Sequence, residues 1–190
     1  MRQSRAGPRF VRMNHQNQIP LRATPLVFFD LETTGLRPDR RGRISEMAVA
    51  DQDGVQFEWS SDQDPPADPV VARQIPRLVE HLQDEIVVGH NLPFDFRFLT
   101  YEAERLGVGG LDVQFADTLG LARELLPGRD GYELGALLAA FDLGPVEELH
   151  TAVGDVLATR TLFWRLVNHG DLDTLADIGV KRLRWNVGRG

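Results

Sequence analysis

The chain has 190 residues and a mass of 21.3 kDa, a length that one domain fills and that buries roughly 70% of the unfolded surface without needing staples. A composition of 42% hydrophobic and 26% charged residues excludes disordered, collagenous and coiled-coil classes, and the absence of cysteine excludes disulfides, thiolate zinc sites, iron–sulfur clusters and cysteine nucleophiles. The formal charge is −7, but residues 1–24 carry five arginines and no acid, which leaves the rest at −12; an acidic body that handles a polyanion needs divalent cations as intermediaries or a brief, local grip.

In chain order, residues 1–24 show neither helical nor strand periodicity and read as a flexible basic arm within which Met13 is an alternative start. Its Arg-rich, acid-poor character also fits a transit peptide, but the apolar content for an amphipathic face is lacking. No apolar run approaches the ~20 residues of a membrane span and no secretory h-region is present, so the expectation is a soluble, cytoplasmic protein with no membrane partner. The run PLVFFD from Pro25 to Asp30 predicts a buried strand. Arg43–Ala50 and Val55–Trp59 predict two more, joined through Asp53-Gly54, a hairpin signal.

After a Pro/Asp-rich loop, Val70–Leu82 has helical spacing with a kink or late start at Pro76. Ile86–Val88 is a fourth strand, followed by Gly89-His90-Asn91 and a helix over 93–106, with Pro93 suited to its first turn. Val113–Ala116 is a fifth strand. Leu119–Leu126 and Glu133–Phe141 read as short helices broken at Pro127-Gly128 and Gly144-Pro145. Thr151–Asn168 is a long amphipathic helix with Thr151 as N-cap and His169-Gly170 at its end. Residues 171–190 read as a tail, so the domain spans 25–170. The βββαβαβ order followed by helices predicts an α/β fold, a mixed five-stranded sheet with helices on both faces.

Four acids stand where a fold has no need of them. Asp30 and Glu32 follow a buried strand in FFDLETTGL, and their i, i+2 spacing turns both carboxylates to one side of an extended chain. A D-x-E alone is common; the apolar strand before it and the Thr33-Thr34-Gly35 turn after it favour a cation between the two anions. Asp95 lies among Leu92, Phe94, Phe96 and Phe98, where a carboxylate is costly to desolvate unless it is paired or bound to metal, although a first-turn acid also suits the helix dipole. His150 and Asp155 are five residues apart, about 140° on a continuous helix, so they converge only if His150 belongs to the entering loop. Hard carboxylates select Mg²⁺ or Mn²⁺. Two such ions clamp a scissile phosphate, and histidine is the side chain suited to take a proton from water near neutral pH.

FDLETTGL, GHNLPFDFRFL and HTAVGDVLAT resemble, in order and spacing, the three motifs of the DEDDh 3′–5′ exonucleases, the DnaQ-like family of the proofreading epsilon subunit of bacterial DNA polymerase III. RISEMAVA and ADTLGLARELLPGRDGYELGALLAAFDL agree as well, so the resemblance runs from about Pro25 to Asn168. It implies the ribonuclease H-like fold and release of nucleoside 5′-monophosphates from a 3′ end. The leading expectation is a 3′–5′ exonuclease on single-stranded or frayed ends, of DNA in preference to RNA, with a DNA polymerase or repair complex as partner. It also implies two Mg²⁺ or Mn²⁺ ions held by Asp30, Glu32, Asp95 and Asp155, with His150 as general base. Thr33, Thr34, Gly35 and Leu36 would hold the terminal nucleotide, with Asn91 and Phe94 lining the same pocket. One departure is visible: relatives carry a longer segment with a His-Gly-Ile element where Trp59 here reaches Val70 through a short loop, which puts strand preference in question more than chemistry. An RNA-trimming or short-oligonucleotide nuclease and a non-catalytic polymerase-associated module are the competing readings, and the intact acid set argues against the latter.

Overall fold

The structure is a computed structural model that describes residues 9–12, 19–144 and 149–186; Met13, Pro145 and the last four residues lie outside them. The chain runs β1 (Arg9–Arg12), β2 (Val27–Thr33), β3 (Ile44–Ala50), β4 (Val55–Ser60), α1 (Asp68–Leu82), β5 (Ile86–Gly89), α2 (Leu92–Leu106), β6 (Gly110–Asp117), α3 (Thr118–Leu125), α4 (Leu134–Ala140), α5 (Ala152–His169) and β7 (Lys181–Asn186). Among the described residues these strands form one sheet in the order β1-β7-β6-β5-β2-β3-β4. β2, β5 and β6 are parallel, while β3, β4, β7 and β1 pair antiparallel, which makes the sheet mixed, as the element order predicts.

Strand periodicity of two sorts the core. Phe28, Ala48, Val88 and Ala116 face the layer of α3, α4 and α5, while their neighbours Phe29, Met47, Val87 and Phe115 face α1 and α2. The central strands are therefore buried on both sides and read as near-continuous apolar runs. α1 begins two residues before the predicted Val70 and passes through Pro76 without ending. α2 stops at Gly107, whose left-handed φ of 66° lets its N–H reach the carbonyls of Ala103 and Glu104.

The sheet has seven strands where five are expected, because the arm and the tail each supply one. Lys181–Asn186 pairs with β6 from Gly110↔Asn186 to Phe115↔Lys181, and Arg9–Arg12 pairs with β7 in turn. Leu183 and Trp185 are buried between the outward Arg182 and Arg184, so a half-buried strand lies inside what composition presents as a basic tail. Leu21 is fully buried as well, in a short 3₁₀ turn at Leu21–Ala23 that its backbone N–H ties to the Asp173 carbonyl at 2.8 Å. The tail and the part of the arm that is described thus join the domain, through backbone pairing at β1 and β7 and through the buried Leu21, Leu183 and Trp185.

Candidate active site

β2 puts Phe28, Asp30 and Glu32 on one face. Phe28 packs edge-on against Phe163 of α5, ring centroids 5.7 Å apart, and this contact sets the first turns of α5 beside the polar end of β2. There one carboxylate oxygen each from Asp30, Glu32 and Asp155 lie within 4.8 Å of one another. Asp95, in the first turn of α2, is buried next to them, and its Oδ1 accepts the Leu31 N–H at 3.0 Å.

The electrostatics follow from this crowding. Burial above all, then the charges of Asp95, Asp155 and Glu32, raise the Asp30 carboxyl well above the ordinary carboxylate range. Asp95 is pushed up strongly by burial, against the opposing Leu31 N–H. Glu32 and Asp155 are raised by burial too, and the nearby His150 draws both part of the way down. The Oδ2 atom of Asp30 is buried with no hydrogen-bond partner among the described residues. A buried, unpartnered carboxylate oxygen surrounded by other carboxylates suits a hard cation, whose charge reverses the repulsion.

His150 does belong to the loop that enters α5. Its φ is 77° and it is exposed. Thr151 caps the helix by accepting the Gly154 N–H at 3.0 Å, and the His150 N–H donates to Asp155 Oδ1 at 3.2 Å. The geometry thereby brings His150 and Asp155 together despite their five-residue separation. Nearby, Thr33 Oγ1 donates to the Gly35 carbonyl at 2.8 Å, and Thr34 Oγ1 accepts the Arg43 N–H at 3.0 Å. Leu36, at the tip, is 79% exposed. Asn91 takes a left-handed conformation before α2, its N–H held by Asp117 Oδ1 at 2.8 Å. Gly89 just before it must be glycine: a Cβ there would stand 2.4 Å from Leu92 Cδ2 and 2.8 Å from the Phe29 carbonyl oxygen.

Three residues that the sequence does not single out belong to this surface. Glu46 lies directly opposite Glu32 in the β2–β3 register, and its Oε2 accepts the Ala152 N–H at 2.9 Å; the available signal is an acid inside an otherwise apolar strand. Asp117 anchors Asn91 and caps α3 through the Leu119 N–H. Arg97 donates to the Leu36 carbonyl at 2.9 Å while its guanidinium lies 5.3 Å from the Phe94 ring centre, so it binds the Leu36 loop and Phe94 into one patch.

The family model of exonucleases (RNase_T) matches residues 52–163, a segment that holds Asp95, His150 and Asp155. PolC-type DNA polymerase III of Halalkalibacterium halodurans is 30% identical over 173 residues, 80% of this chain and 12% of that protein. The PolC-type polymerase of Thermotoga petrophila is 30% identical over 179 residues, 83% of this chain and again 12% of that protein. The chain thus spans about an eighth of the length of these curated relatives. Among solved structures, Exonuclease X in complex with 5′ overhanging duplex DNA shares the fold at a TM-score of 0.56 and 22% identity, covering 81% of this chain and 97% of that one. Brucella melitensis NrnC with bound Mg²⁺ does so at 0.54 and 18%, covering 78% and 75%. With the ribonuclease H-like fold shared and more than half its length matched, this chain belongs to the exonuclease family and is DnaQ-like.

Proposed function

We propose that the chain is a metal-dependent 3′–5′ exonuclease that removes nucleoside 5′-monophosphates from single-stranded or frayed DNA ends, in proofreading or repair beside a polymerase. The observation that carries this reading is the meeting of Asp30, Glu32 and Asp155 around a buried Asp30 oxygen that no donor among the described residues satisfies. An all-carboxylate donor set fits Mg²⁺ or Mn²⁺, and Asp30, Glu32, Asp95 and Asp155 would hold two such ions. When bound, they neutralise the phosphate and make the attacking water more acidic. The PolC-type relatives and the DNA in the Exonuclease X structure support the choice of substrate, and the Mg²⁺ of NrnC supports the metal.

The chain's own residues supply positioning and proton transfer. The exposed Leu36 and the half-buried Phe94, joined through Arg97, offer apolar faces to the terminal base. On this reading the Thr33–Gly35 turn and Asn91 would contact the same terminal nucleotide, Asn91 from the rim of a neighbouring cavity that it shares with His90, Tyr132 and Glu133. His150 accepts the proton of water as the new O–P bond forms and the P–O3′ bond breaks, and the departing 3′-oxygen is protonated from solvent.

The test uses purified protein with end-labelled single-stranded DNA, mismatched duplex and RNA of equal length, in Mg²⁺, Mn²⁺ or EDTA. Mononucleotides released from the 3′ end of DNA, and none in EDTA, are expected. Release from the 5′ end or without metal refutes the mechanism, and faster loss of RNA replaces the DNA assignment with an exoribonuclease.

A further inference from the structure

Between the terminal-nucleotide turn and β3, the loop Arg37–Arg43 carries four arginines and one aspartate in seven residues of an otherwise acidic chain. Two of these arginines are committed within the protein. Arg37 pairs with Asp39 at 2.8 Å. Arg43 reaches the fully buried Glu102 at 2.5 Å and Asp68 at 2.6 Å. Arg40 and Arg41 are exposed, and among the described residues neither guanidinium makes a salt bridge or hydrogen bond, although the charge of Arg40 helps to hold the Asp39 carboxyl down.

The loop that presents them is firmly built. Pro38 is buried, and the N–H groups of Arg40 and Gly42 both donate to the Arg37 carbonyl, at 3.2 and 3.0 Å. A Cβ on Gly42 would stand 2.7 Å from that same oxygen and 3.1 Å from Phe98 Cε1. The Thr34 N–H bonds the Arg43 carbonyl at 2.9 Å, which closes the loop onto the turn that carries Leu36. Arg41 holds a left-handed φ of 73°, a conformation that favours glycine or asparagine over arginine. Beside it lies a groove of about 450 Å³ walled by Pro38, Arg41, Tyr101 and Arg105 together with Asp39, whose carboxylate Arg37 pairs. Chain length alone keeps Arg40 within about 14 Å of Leu36 and Arg41 within about 18 Å.

Resting on the exonuclease reading, we infer that Arg40 and Arg41 grip phosphates of the substrate strand on the 5′ side of its terminal nucleotide, leading the single strand along the groove beside Tyr101. Carboxylates crowd the reaction centre and repel a polyanion, so the fixed cations that counter this must lie outside it and close by. These two stand on a loop tied by its own backbone hydrogen bonds, without a salt bridge among the described residues and within a few nucleotides' reach. Tyr101 adds a ring against which a base can stack.

The experiment uses the full chain with Arg40→Ala and Arg41→Gly combined, glycine being the residue that the φ at 41 accepts, and Arg40→Lys with Arg41→Lys as the charge-retaining control. A 20-nucleotide DNA strand and a dinucleotide are digested in Mg²⁺ at several salt concentrations. For the 20-mer, KM should rise roughly 10-fold, on the order of threefold per phosphate contact, with kcat within about twofold. The slope of log kcat/KM against log salt should shrink by about 1.4, or 0.7 per contact on a single strand. Dinucleotide kinetics and Tm should hold, and the lysine control should recover most of the loss.

An unchanged KM and salt slope on the 20-mer overturns the inference. So does an equal loss on both substrates. Fluorescence anisotropy of a fluorescein-labelled 20-mer in EDTA reads the same contacts without turnover. If the wild type digests nothing, the exonuclease reading fails on its own, and the anisotropy still decides on the arginines: weaker binding by the variant upholds the contact and equal binding removes it.

Discussion

Replacing Asp30 with asparagine should stabilise the metal-free protein, an unusual outcome for a nearly isosteric change at a buried position. With carboxylate oxygens within 4.8 Å, each ionised pair costs about 3.5 kcal/mol at an effective dielectric constant near 20. Glu32 and Asp155 are half-exposed and Asp30 yields by holding its proton, so solvent screening reduces the net relief to about 1–2 kcal/mol. For a chain of this length that is a rise in Tm of about 2–8 °C. The sign follows from the protons bound. The folded Asp30 titrates above its unfolded value of 3.8, so its favourable share of stability is full below that value and is lost as pH rises through the higher folded pKa. The wild type in EDTA should therefore melt progressively lower as pH climbs through that window, and Asp30→Asn should flatten the decline. Mg²⁺ at about 100 times its Kd should add about 2.7 kcal/mol to the wild type and much less to the variant. A lower Tm for Asp30→Asn in EDTA, together with undiminished stabilisation by Mg²⁺ or Mn²⁺, would refute a cation site built on mutual repulsion.

Other perturbations separate chemistry from scaffold. His150→Ala should lower kcat by roughly 10²- to 10⁴-fold while the Mn²⁺-induced rise in Tm persists; an unchanged rate removes its role as base. Glu102→Ala strands two guanidiniums, those of Arg43 and Arg105, each 2.5 Å from the buried carboxylate, and should cost about 3–5 kcal/mol, read from urea unfolding; a shift below about 1 kcal/mol would mean that Asp68 satisfies both cations alone. Truncation after Val180 removes the buried Leu183 and Trp185 and bares the β6 edge, a loss of roughly 3–6 kcal/mol at about 1.5–3 per side chain. An unaltered urea midpoint would show β7 to be dispensable.

Local signals made much of this legible. The apolar run into Asp30 marks β2, and the cap at Thr151 with apolar periodicity beyond it marks α5 and releases His150 into the loop. What the sequence hides is non-local or masked by composition. β7 alternates Leu183 and Trp185 with arginines, a strand pattern whose basic partners make it read as a solvated tail. The Arg43–Glu102 pair joins residues 59 apart, beyond any periodicity. The signal of Glu46, an acid inside an apolar strand, is ambiguous because one charge in a strand ordinarily means a solvent-facing position, and only the cross-strand register sets it opposite Glu32.

That register also explains how a fold tolerates so many acids in one place. Like charges directly opposite in a sheet are destabilising, yet Glu46 accepts the Ala152 N–H and Asp155 accepts that of His150, both at the amino end of α5, where the helix dipole favours negative charge. Asp95 occupies the first turn of α2 and is bonded by Leu31. Two helix N-termini therefore converge on the acid cluster, and backbone donors offset the repulsion at Glu46, Asp155 and Asp95, with the Thr33 backbone drawing Glu32 down as well. Asp30 comes from a strand, with no helix end of its own, and among the described residues its Oδ2 is the buried carboxylate oxygen left without a donor. Asp95, Asp155 and Glu46 have backbone donors and the Asp30 Oδ2 has none among the described residues, so the unmet demand for positive charge is greatest at that atom, and a cation bound there would gain the attraction of the whole cluster.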